Sequence, residues 1–183
     1  KVETETEYDR GEIHGIHKHF DESGALRVQL TYEHGTPVSY SYQDKSGNLV
    51  PLVDLNHGNG KITGYYSNGK KSIEYEFSDD RLDNNYKTFF PDGTPHIESH
   101  QQFGYSEGET KIFYSNGKLK SSTVYLDNEE DGPFKRYYSN GNVRREGEYF
   151  LGFSHGTEKL YNDKGTLTET RLYYFDQLLD VRK

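Results

Sequence analysis

The chain has 183 residues, a net charge of −8, a mean hydropathy of −1.05 and only 31% hydrophobic residues, too little apolar content for a large round core. Thirty Asp and Glu against 22 Lys and Arg leave no basic footprint for nucleic acid or an anionic membrane, and no apolar run approaches the roughly 20 residues that span a bilayer. Zero Cys excludes disulfides, thiol catalysis and cysteine metal sites, while 17 Tyr and 10 Phe carry the apolar area in rings, which suits a thin, extended fold.

In chain order, the first distinctive run is "EIHGIHKHF" at 12–20, where His17 and His19 lie two apart on a strand and share a face, while His14 has the opposite parity. No third ligand accompanies the pair, so no metal site is predicted. Turn glycines then divide the chain: Gly24 and Gly47, followed by Gly69, Gly93, Gly117, Gly141 and Gly165 at a constant interval of 24 residues. A fixed period in this range marks a repeat array, here about seven copies. "FDESGA" at 20–25, "YQDKSGN" at 42–48 and "YNDKGT" at 161–166 read as longer turns, and the stretch at 48–60 is a degenerate, hydrophobic break.

"YYSNGK" at 65–70 returns as "FYSNGK" at 113–118 and "YYSNGN" at 137–142. Asn-Gly between extended runs predicts a hairpin with both central residues at positive φ. A two-residue turn at Asn68-Gly69 sets Tyr66 opposite Lys71, Gly64 opposite Ile73 and Ile62 opposite Tyr75. The same parity puts Phe20, Val28, Leu30, Phe90, Ile97, Ile112, Tyr125, Phe134 and Tyr149 on the buried face. The other face pairs Lys87 with Glu98 and Lys135 with Glu146. That face also carries a second row of rings, Tyr65, Phe89, Phe113 and Tyr137, with Lys120 and Arg144 expected against Phe113 and Tyr137 as cation–π neighbours. These four rings are the candidate partner-binding residues, with a second core row as the alternative reading. "LDNEEDG" at 126–132 lacks the spacing of a calcium loop and reads as a solvated turn between repeats.

"ETKIFYSNGKLKSSTVYLDNEEDG" at 109–132 and "DGPFKRYYSNGNVRREGEYFLG" at 131–152 resemble the variant MORN repeat. The resemblance covers residues 11 to 176 and is strongest from Gly60 onward. It implies an all-β, elongated, single-layer antiparallel sheet of about seven tandem hairpins, treated as a single domain over 1–183. The last run, "LYYFDQLLDVRK" at 172–183, is expected to cap the array, with Leu178, Leu179 and Val181 folding back. The resemblance carries no catalytic residues, and no Gly-x-Ser-x-Gly elbow, phosphate loop or zinc-protease helix occurs. The expected function is therefore non-enzymatic: a protein-binding module, antitoxin- or immunity-like as in bacterial members of the family, with a basic partner suggested by the charge. A cell-surface glycan-binding repeat and a structural spacer stand as alternatives. No cofactor or metal is expected. With no Met in the sequence, a trimmed or processed chain is expected, exported or in the cell envelope.

Overall fold

The computed structural model describes residues 2–56 and 58–183, all of it strands and turns, with no helix among the described residues. The chain forms two compact units, 1–94 and 95–183. In the first, β1 (Thr4–Asp9), β2 (Glu12–Phe20), β3 (Leu26–Glu33), β4 (Thr36–Ser41) and the short β5 (Val53–Asp54) make one antiparallel sheet in sequence order. A second meander follows: β6 (Gly60–Tyr65), β7 (Lys71–Ser78) and β8 (Arg81–Phe89). The second unit runs β9 (Pro95–Gln102), β10 (Tyr105–Phe113), β11 (Leu119–Leu126), β12 (Glu129–Tyr137), β13 (Val143–Phe150), β14 (Phe153–Tyr161), β15 (Leu167–Tyr174) and β16 (Gln177–Arg182), each from β10 onward antiparallel to the one before. This is the expected all-β architecture of consecutive antiparallel hairpins, without a closed barrel.

Two kinds of turn alternate, and their chemistry is the reverse of the sequence expectation. At Asn68-Gly69 only the glycine has positive φ (82°). The Gly69 N–H donates to the Tyr66 carbonyl and the Tyr66 N–H to the Lys70 carbonyl, which is a type I turn closed by a glycine bulge. The bulge consumes one residue, so Lys71 faces Tyr65 instead of Tyr66, while Gly64 still faces Ile73 and Ile62 still faces Tyr75. All seven periodic turn glycines, from Gly24 to Gly165, repeat this pair of backbone hydrogen bonds, so the five-residue turns at 21–25, 44–48 and 162–166 are no longer than the others. What differs is where the side-chain acceptor sits. Asp21, Asp44 and Asn162 accept backbone N–H groups from the first turn position, whereas Asn68, Asp92, Asn116 and Asn140 do so from the third.

The two-residue turns with both centres at positive φ lie between the repeats, for example Asp79-Asp80 (49° and 65°), Asp127-Asn128 (51° and 70°) and Leu151-Gly152 (50° and 79°). The acidic run at 126–132 is one of them, as expected; its Asn128 Oδ1 accepts the Ser106 N–H at 2.7 Å.

The recurrent Tyr and Asn are fasteners between neighbouring hairpins. The hydroxyls of Tyr66, Tyr114 and Tyr138 donate to the carbonyls of Phe89, Tyr137 and Tyr161 at 2.8, 2.7 and 2.9 Å, in each case 23 residues ahead. The amides of Asn68, Asn116 and Asn140 donate to the carbonyls of Pro91, Ser139 and Asp163 at the same offset. A motif that would serve one hairpin once is thus written repeatedly because each copy ties down the next.

In the first unit the break near residues 48–60 lets β3 pack against β6 and β7. Val28, Leu30, Tyr40, Leu55, Ile62, Ile73, Tyr75 and Phe77 form the buried cluster. The approach is close: Ser72 Oγ donates to the Arg27 carbonyl at 3.1 Å, and a Cβ at Gly64 would run into that carbonyl. The second unit buries its sheet differently. Phe134 is its one large hydrophobic residue in the buried class among the described residues. Its ring lies against Tyr149 (centroids 4.7 Å apart) and under the guanidiniums of Arg136 and Arg145 at 5.5 and 5.1 Å, with Gly147 leaving it room. Glu158, 2% exposed, pairs with Arg145 and Arg171 on the same sheet. The C-terminal run continues the meander as β16, and Leu178, Leu179 and Val181 are exposed on it, not folded back.

Candidate functional site

The four rings singled out from the sequence, Tyr65, Phe89, Phe113 and Tyr137, are all half-buried. Three of them end a strand against a residue of their own hairpin: Tyr65 against Lys71, Phe113 against Leu119 and Tyr137 against Val143. Tyr65 also meets the Tyr42 ring at 5.1 Å. Because the glycine bulge shifts the register by one, Lys120 sits 5.9 Å above Tyr114, not beside Phe113 as the two-residue turn predicts. Lys135 and Glu146 do pair, at 3.2 Å.

A different apolar surface stands out at the two-residue turns of the second unit. In the first unit these turns read Asp-Arg-Gly-Glu, Glu-His-Gly-Thr and Ser-Asp-Asp-Arg; in the second they include Gln-Phe-Gly-Tyr (102–105), Phe-Leu-Gly-Phe (150–153) and Tyr-Phe-Asp-Gln (174–177). Phe150, Leu151, Phe153, Tyr174 and Phe175 are all exposed, Leu151 and Tyr174 by 55% each. Phe175 is the hub, with ring centroids 5.9, 5.8, 5.3 and 4.9 Å from Phe150, Phe153, His155 and Tyr174. His155 completes the cluster, its Nδ1 buried without a hydrogen-bond partner. Leu151 and Phe175 hold φ of 50° and 46°, a left-handed conformation that costs a bulky residue roughly 1 kcal/mol or more and suits Gly, Asn or Asp. The sequence signal for this surface is bulky apolar residues written into turns, which the alternation of faces along the strands does not reveal.

The second unit also holds a cleft of about 360 Å³ beside the five-residue turns, lined by Tyr114, Lys120, Tyr125, Arg136, Tyr137 and Arg144 among others. Arg136 donates to Thr123 Oγ1 at 2.6 Å and lies 3.6 Å from Glu130.

In the first unit His17 and His19 share a face as expected, their Nε2 atoms 2.9 Å apart, while His14 stands separately with its ring 4.9 Å from that of His34. Burial, then the charges of His17 and Arg27, push the His19 imidazole down to about 4. No group of three or more metal-ligating side chains is assembled among the described residues.

Residues 13–34, 106–127 and 130–150 match the MORN repeat variant, so these three segments of the chain are MORN-variant repeats. This repeat is a non-catalytic type, commonly used as a protein- or membrane-binding module. No curated protein matches the chain closely enough to count as a relative. No helix among the described residues is long and apolar enough to cross a membrane.

Proposed function

We propose that the protein is a non-enzymatic binding module that docks another protein on the aromatic turn cluster of residues 150–153 and 174–175. The observation that carries this is the strained, exposed placement of Leu151 and Phe175. Bulky apolar side chains at left-handed turn positions cost stability and gain little shelter, so their use is best explained by contact with a partner. The half-burial of Tyr65, Phe89, Phe113 and Tyr137 gives those rings less free surface than the turn cluster has. Residues 1–94 carry 16 Asp and Glu against 10 Lys and Arg, and residues 95–183 carry 14 against 12. The net charge of −8 supports a partner with a basic surface, the antitoxin- or immunity-like form of this reading, in which the module covers that surface sterically.

The test uses Leu151→Asn with Phe175→Asn, because Asn accepts the left-handed backbone. The double variant is expected to melt at the same or a higher temperature, yet to lose the protein captured by the parent chain from host extract. Retained capture by a folded double variant overturns the assignment of the surface. Capture indifferent to salt would argue against a basic partner.

A further inference from the structure

The cleft beside the five-residue turns gathers cations in a chain that is acidic overall. Lys120, Arg136 and Arg144 all line it, and only Arg136 has a carboxylate nearby, that of Glu130. Neither Lys120 nor Arg144 meets a carboxylate within 4 Å among the described residues; the Lys120 ammonium is instead held over the Tyr114 ring. The Tyr114 hydroxyl is already committed to the Tyr137 carbonyl.

Lysine and arginine side chains only donate hydrogen bonds, so a ligand that completes this cleft must bring acceptors and negative charge. It must also bring a flat or apolar part to lie against the rings of Tyr125 and Tyr137. A long polyanion fits poorly. Beyond about 8 Å, roughly one Debye length in physiological salt, such a ligand leaves these three cations and meets a unit whose remaining charges are 14 Asp and Glu against nine Lys and Arg. A carboxylate side chain is small enough to stay within their reach, and the planar fork of arginine matches it.

We infer that this cleft binds the carboxylate side chains of an acidic peptide segment that also carries aromatic residues. The site lies toward the five-residue turns and the aromatic cluster lies at the two-residue turns, so this inference does not rest on the reading given above. The test is a calorimetric titration of the full chain with the capped peptide Phe-Glu-Asp-Phe, whose carboxylates are adjacent, and with its amide counterpart Phe-Gln-Asn-Phe. The parent is expected to bind the acidic peptide alone, more weakly as salt is raised. Lys120→Gln with Arg144→Gln, both exposed residues, is expected to weaken that binding about tenfold with an unchanged melting temperature. Equal binding of both peptides, binding unchanged in the double variant, or no binding by the parent overturns the inference. So does a preference for inorganic phosphate or for phosphatidylserine vesicles over the acidic peptide.

Discussion

Residues 1–94 and 95–183 are built from the same hairpin and are held together by different forces. The first unit breaks its repeat near residues 48–60 and packs β3 on β6 and β7, so Val28, Leu30, Ile62 and Ile73 reach zero exposure. The second keeps the period through eight strands and buries one large hydrophobic residue, Phe134, under two guanidiniums. There the sheet is held by the Tyr and Asn fasteners and by Arg145 and Arg171 closing on Glu158. A thin repeat can therefore persist solely by tying each hairpin to the next, while the first unit, which has the same fasteners at Tyr66 and Asn68, adds a second packed layer. In the second unit, apolar side chains also stand at the turns, where they are exposed.

The largest expected effect distinguishes the two cores. Leu30→Ala should cost the first unit about 3 to 5 kcal/mol, the usual range for a fully buried leucine. Amide exchange in β3, β6 and β7 should rise strongly; a loss under 1 kcal/mol would mean that the packed layers contribute little. Next, Glu158→Ala leaves two arginines without their buried partner and should cost the second unit about 3 kcal/mol, read as faster exchange in β13 to β15. An unperturbed variant would show that ring stacking on Phe134 alone suffices.

Acid should separate the units by a somewhat smaller amount. The His19 imidazole, pushed down to about 4, refuses a proton that the unfolded chain accepts below 6.5. Stability from this group is therefore complete above about pH 6.5 and is lost as pH falls toward 4, by up to about 3 kcal/mol. Burial lowers His17 as well, in the same sense. In the second unit, Glu109 and Glu146 are held low by hydrogen bonds from Ser122 and Tyr161, and their contributions fade only below the ordinary carboxylate value of 4.5. Exchange measured at pH 5 should thus rise in β2 and β3 before it rises in β10 to β13; simultaneous loss would contradict the assignment. The smallest effect is that of a single fastener. Tyr138→Phe removes one hydroxyl from the Tyr161 carbonyl and should cost about 1 kcal/mol by chemical denaturation, while a neutral result would reduce the fasteners to ornaments of the turn.

Much of this architecture was legible in the residues. The spacing of Gly69 to Gly165 announced equal hairpins, because each bulge needs one residue at positive φ and glycine adopts it freely. The alternation around Ile62, Ile73 and Tyr75 identified a buried face correctly. The local geometry of the Asn-Gly turn was misread, since Asn-Gly serves a two-residue turn and a glycine-bulge turn equally well and only the backbone hydrogen bonds decide between them. That one-residue difference moved Lys120 from Phe113 to Tyr114, and both Lys120 and Tyr114 line the cation-bearing cleft.

The amino-acid sequence alone determined the repeat, its strand count per unit and the side chains available to each face, because these follow from period, parity and the φ tolerance of glycine. Only the tertiary structure decided which face found cover. Whether a ring becomes core, fastener or exposed surface depends on what lies across from it: a second sheet at Tyr75, a carbonyl of the next hairpin at Tyr138, and solvent at Phe175.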